Sequence, residues 1–289
     1  MAYLIVLTAI ILIGLIIATI TDLKTREVPD WLSYGLIAIG LGVNLIFSFA
    51  YGNYWFFVNS LAGFALFLAV ALIMFYTGQW GGGDSKVLMG LGALIGFDFR
   101  LTGFPFMASF LINILIVGAV YGLMWSLFLV FKNFKSFFKE FRKKLRSAKV
   151  IRLKGAVIIF VVLMLALSFF IKEAAIKPML FALALLALLT FYLWVFVKAV
   201  EKKCMLKQIT PDKLTEGDWI AKDVKYKGKY ICGPKDLGIE KKQIMQLVKL
   251  YKQKKIKNIL IKEGIPFVPS FLIAYIVTLF WGNLLFLLV

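Results

Sequence analysis

The chain contains no histidine, and only two cysteines among its 289 residues. Without histidine there is no imidazole base for a Ser-His nucleophile and no imidazole ligand for a catalytic metal. Cys204 and Cys232 form no C-x-x-C pair, so the spacing of a zinc site is missing, and both are expected as reduced thiols. Acidic residues are also scarce, 15 against 34 lysines and arginines, for a net charge of +19. So few carboxylates can be sorted one by one.

What the chain has in abundance is apolar sequence, 62% of its residues. Apolar runs occupy residues 3–20, 32–51, 54–76, 104–131, 155–171, 178–197 and 266–289. Each is close to or above the roughly 20 residues a helix needs to cross hydrocarbon. A shorter run, 87–97, carries Gly90, Gly92 and Gly96, small residues that permit close packing inside a bundle. These runs predict an all-α polytopic membrane protein of about eight transmembrane helices. Residues 1–199 form the helical body, 200–264 a small cytoplasmic α+β insert, and 265–289 the last transmembrane helix.

The insert is read from its own pattern. DWIAKDVKYKGKYI suggests two short strands around Lys227-Gly228, and KNILI another. Between them Ile244, Leu247, Val248 and Tyr251 recur at helical spacing.

Lysine and arginine crowd residues 132–154 and 198–262, which places both on the cytoplasmic side. Counting back, the turns at 22–30 and 78–86 lie inside, while residues 98–100, 172–177 and both termini lie outside. The first run has no basic segment before it and positive charge after it, unlike a cleavable signal. The basic excess is therefore assigned to membrane topology rather than to nucleic acid. Within 132–154, Phe131, Phe134, Phe138, Phe141 and Leu145 recur among cations, the pattern of a basic helix lying against anionic headgroups.

Eight of the acids fall in the insert, Glu140 in the basic loop, and Asp98 and Glu173 on the outer side. Asp22, Glu27, Asp30 and Asp84 are left, all at the inner boundary of the helical body. Asp22 ends the first run in TDLKTREVPDWL; Asp84 follows three glycines in GQWGGGDSKVLMG. Two spans separate them, so the chain returns to the same face. Taken alone, Asp22 is equally a solvated helix-end residue, and the glycine run equally a flexible turn. Three glycines in a helix cost about 1 kcal/mol each against alanine, which suggests a use such as close backbone approach or an unwound segment.

DLKTREVPD at 22–30 together with GGGDSK at 81–86 resembles the type IV prepilin and preflagellin (archaellin) peptidases, membrane aspartic proteases of the GxGD class. Pro29 matches the proline after the first aspartate; Gly81, Gly83, Asp84 and Lys86 match G-x-G-D-x-K. The segment IPFVP, 265–269, opens the last run as in many members. The resemblance implies Asp22 and Asp84 as the catalytic pair, and removal of a short basic leader from pilin-like or archaellin precursors. It implies no metal and no cofactor. The chain looks like the archaeal members, and lacks the cytoplasmic cysteine region of those that also methylate the new N-terminus, so methyl transfer is not expected. Glu27 and Asp30, the latter where many members have Asn, are candidate contacts for the basic leader. Lys86 is equally a lipid-phosphate contact.

Two aspartates sharing one proton can activate water and polarise an amide carbonyl. Asp84 at a helix start and Asp22 at a helix end predict, by the helix dipole, that Asp84 is the more readily ionised. Two other classes share the composition: a proton-coupled transporter or channel, which calls for ionisable groups at mid-bilayer depth, and a membrane scaffold, which leaves the paired motifs unexplained.

Overall fold

A computed structural model describes residues 2–99 and 104–287. Arg100, expected in an outer loop, and the terminal residues Met1, Leu288 and Val289 lie outside the described residues. The chain divides into two compact units, residues 1–124, 209–259 and 264–289 in the first, 125–208 and 260–263 in the second.

The helices are α1 (Ala2–Thr25), α2 (Asp30–Ala50), α3 (Trp55–Tyr76), α4 (Gly82–Ile95), α5 (Phe106–Lys132), α6 (Phe134–Leu145), α7 (Ala148–Phe170), α8 (Ile176–Val200), α9 (Lys241–Lys252), α10 (Val268–Trp281) and α11 (Leu284–Leu287). Six of them, α1, α2, α3, α5, α7 and α8, are long and apolar enough to cross a membrane. The chain is thus a mostly helical, polytopic membrane protein. At 14 residues each, α4 and α10 fall short of a full crossing at 1.5 Å per residue.

In the first unit, α1, α2, α3, α4, α10 and the start of α5 share one core, with Leu15, Leu36, Phe67, Leu91, Phe110 and Phe271 buried at its centre. The short α4 packs against both α2 and α3. Glycine is what lets it come so close. A β-carbon at Gly92 would stand 2.5 Å from the Gly63 carbonyl oxygen, and one at Gly90 would stand 2.7 Å from Leu36 Cβ. Polar side chains reinforce the contact: Asn44 Nδ2 and Ser60 Oγ both donate to the carbonyl of Ala93, at 3.3 and 2.5 Å.

The same unit carries β2 (Trp219–Ile220) and an antiparallel hairpin of β3 (Val224–Tyr226) and β4 (Lys229–Cys232). Its turn residues Lys227 and Gly228 both have positive φ, 48° and 80°, the conformation that suits the twist of a two-residue hairpin. On α9, Leu247 and Leu250 are buried and Ile244, Val248 and Tyr251 half-buried.

The second unit holds α6, α7, α8, a π-helical turn at Glu201–Met205, and β1 (Leu206–Ile209) beside β5 (Ile259–Lys262). The basic stretch 132–154 is not one helix. α6 stops at Leu145, and α7 begins afresh behind Ser147. On α6 the inward ring is Phe137, 3% exposed and stacked on Phe141, which the sequence stripe passed over; Phe131 and Phe134 point outward. Glu140, also buried, accepts from Lys202 at 2.6 Å.

Adding one methyl group at two glycines tests this packing. Gly92→Ala should destabilise the detergent-solubilised protein by about 1–3 kcal/mol, the usual cost of overpacking. Gly42→Ala, whose β-carbon would meet nothing within 4 Å, should be neutral or slightly stabilising in the same unfolding measurement.

Candidate functional site

Asp22 is aimed inward by helical period. Ile11, Leu15, Ala18 and Asp22 lie along the buried face of α1, and Asp22 is only 5% exposed. A buried carboxylate needs a donor. It finds one at the far end of the chain, where Val268 N–H donates to Asp22 Oδ2 at 2.9 Å. Val268 is the first residue of α10, and Pro269 follows it with no N–H to offer. The orphan amide of a helix start therefore meets the carboxylate that a helix end presents.

The loop around this contact is tied down. Arg26 takes the left-handed conformation, φ 60°, and its amide closes on Asp22 O at 2.8 Å, ending α1. Its Nη1 reaches Gly264 O at 2.9 Å. Pro29 then caps α2, its carbonyl accepting from Leu32 and Ser33 at 3.0 and 3.3 Å.

Asp84 stands in the first turn of α4. Gly81, extended at φ −72° and ψ 168°, is the N-cap, and its N–H donates to Asp84 Oδ2 at 3.0 Å. Gly82 and Gly83 are helical, so the three glycines make a helix start rather than a loose turn; the positive φ belongs to Gly78. Gly83 stands beside the first loop, a β-carbon there lying 3.4 Å from Val28 N.

Gly83 against Val28, and Trp80 against Phe267, bring the start of α4 to the loop after Asp22 and to the opening of α10. Asp84 has the amino end of its own helix, but Asp22, at the end of α1, faces an amino end too, that of α10. The two aspartates thus lie at one junction of α1, α4 and α10.

Of the other candidate residues, Lys86 and Asp30 are joined, Nζ to Oδ1 at 2.6 Å, with the ammonium 5.4 Å from the Tyr34 ring centre. Asp30 keeps 66% of its side chain exposed, and Glu27 is exposed as well. Among the described residues no cluster of three or more carboxylates or thiols could hold a metal ion.

Sequence reasoning missed two members of this region. Trp80, 5% exposed, packs its ring 5.9 Å from that of Phe267 and 5.3 Å from that of Phe271. It fastens the glycine run to the same end of α10 that holds Asp22. Its only signal was a tryptophan next to the motif. Val268 acts through its backbone, which no side-chain pattern reveals.

Residues 9–131, which hold both aspartates, match the type IV leader peptidase family. The chain is 42% identical over 87 residues to a preflagellin peptidase of Methanococcus voltae, covering 30% of this chain and 37% of that protein. It is 42% identical over 83 residues to one of Methanocaldococcus jannaschii, 29% of this chain and 35% of that protein. A prepilin peptidase of Methanothermobacter thermautotrophicus is 24% identical over 151 residues, 48% of this chain and 39% of that protein. The matched part therefore spans well under half the length of each relative. No solved structure matches the chain.

If the two carboxylates repel each other, Asp22→Asn removes a like charge beside Asp84. The carboxyl of Asp84, followed by 13C NMR in detergent, should then titrate at lower pH. An unchanged midpoint would show that the pair does not interact.

Proposed function

We propose that the chain is an aspartic endopeptidase of the cytoplasmic membrane that removes the short basic leader of pilin-like or archaellin precursors. The observation that carries this reading is the convergence of Asp22 and Asp84. They sit on separate helices inside the segment that matches the leader peptidases, at the junction of α1, α4 and α10. Relatives named preflagellin and prepilin peptidase support the substrate class.

In this mechanism the pair holds one proton between them, because two like charges so close do not both ionise easily. The ionised partner takes a proton from water as its oxygen attacks the scissile carbonyl carbon. The protonated partner donates to the carbonyl oxygen. Collapse of the tetrahedral species returns a proton to the leaving nitrogen and breaks the C–N bond. The glycine helix start, Gly81 extended and Gly82 and Gly83 helical, gives Asp84 room to adjust when a peptide enters, a gate of ordinary kind.

The membrane arrangement belongs to the same proposal. α4 and α10, each too short to cross alone, pass through the body packed against the longer helices and bring its count to eight, with the termini outside and the Asp22 and Asp84 motifs at the cytoplasmic face. An apolar precursor helix then approaches laterally and presents its leader at the inner boundary. Glu27, exposed in the loop after α1, and Asp30, exposed at the start of α2 and paired with Lys86, are the residues we assign to meet the basic leader.

Two experiments follow. In purified, lipid-reconstituted protein, Asp22→Asn and Asp84→Asn should each slow leader removal, scored by mass spectrometry, by about 10²-fold or more; cleavage at the native rate in either would refute the mechanism. Charge reversal by Glu27→Lys with Asp30→Lys should raise KM for a basic leader far more than for a leader whose lysines are neutralised. Equal effects on the two leaders would remove these residues from recognition.

A further inference from the structure

The second unit contains a cavity of about 240 Å³ whose lining combines Lys144, Ser147, Lys149 and Lys198 with an apolar wall that includes Trp194 and Val195. We propose that it binds the phosphate headgroup of an anionic phospholipid. The inference stands apart from the peptidase reading, since none of these residues belongs to the aspartate site.

The cavity forms where the chain leaves α6 and enters α7, beside the last turns of α8. Cations are concentrated at this point by the sequence: Arg142, Lys143 and Lys144 close α6, and Lys149 opens α7. The first turn of α7 has no acidic residue, and Ser147 at its N-cap does not cap it. The Ser147 hydroxyl instead donates back to Lys144 O at 2.8 Å. The amino end of α7 thus adds its partial positive charge to the lysines without an internal counter-charge. Lys198 is partly neutralised, its Nζ lying 2.9 Å from Glu201 Oε2, and Glu201 also accepts from Lys262 at 2.8 Å. Lys144 and Lys149 therefore carry the attraction.

The wall distinguishes a lipid from a soluble phosphate. Val195 is buried and Trp194 is 38% exposed, a tryptophan beside a lysine at the end of a spanning helix, where membrane interfaces favour both. Further along, α7 exposes Ile158, Ile159 and Val162, and α8 exposes Leu185, Leu186 and Leu189. A headgroup seated on the lysines leaves its acyl chains to run along these faces. Basic pockets between membrane helices on the cytoplasmic side recognise anionic headgroups in this way.

The alternative is diffuse attraction of the whole basic surface, under which any two lysines count equally. The test uses the full chain in detergent and native mass spectrometry with phosphatidylglycerol, phosphatidylcholine and soluble glycerol phosphate as probes. Lys144→Gln with Lys149→Gln should weaken phosphatidylglycerol retention by about tenfold or more, given the usual contribution of each lysine near a headgroup. Lys135→Gln with Lys139→Gln, the same charge loss on the exposed side of α6, should change it by less than about twofold. Should the double variant fail to fold, Lys144→Gln and Lys149→Gln singly should each weaken retention by about threefold or more. Equal losses at the two positions, equal retention of phosphatidylcholine, or displacement of the lipid by an equal concentration of glycerol phosphate would each overturn the proposal.

Discussion

The carboxylate of Asp22 accepts a hydrogen bond from the amide of Val268, a residue 246 positions away. Much of the candidate site is organised around that one bond. A buried carboxylate without a donor is costly, and so is an orphan amide at a buried helix start. Pairing them satisfies both and fixes the end of α1 against the opening of α10. Trp80 packs on the rings of Phe267 and Phe271 at the same opening, so the segment before Asp84 is referred to the same point. One helix end thereby sets the position of two carboxylates that the chain keeps apart.

The second constraint is the thinness of α4. With Gly90 and Gly92 at its contacts, the helix lies against α2 and α3 at backbone distance. Larger residues would push it outward and carry Asp84 with it. The Lys86–Asp30 ion pair ties its first turn to that of α2 on the solvent side, where an exposed pair adds little stability but can hold a register. Apolar packing inside, an ion pair outside and a capped helix start together place a single carboxyl oxygen.

The aspartates stood out in the sequence because acids are so rare there, but composition left each with a structural explanation, and it was the family resemblance that joined them as a pair. The long helices were equally legible, since hydrocarbon demands unbroken apolar runs. Three things were not. Val268 contributes a group that every residue except proline carries, so its side chain holds no trace of the role. Four of the apolar residues on α6 are phenylalanines, Phe134, Phe137, Phe138 and Phe141, and periodicity cannot say which of these rings meets protein and which meets lipid. The helix-end argument for Asp84 considered only the helix to which each aspartate belongs. It could not include α10, which presents a second amino end to Asp22.

The central claim is that the two aspartates lie side by side in the resting protein. With Cys204→Ala and Cys232→Ser removing the native thiols, Asp22→Cys and Asp84→Cys can be treated with a short bifunctional thiol reagent in native membranes, without any precursor present. The account predicts an efficient intramolecular link between these positions. It predicts none when Asp84→Cys is replaced by Asp98→Cys, beyond the other end of α4. Failure of the first pair to link, or equal linking of the second, would contradict it.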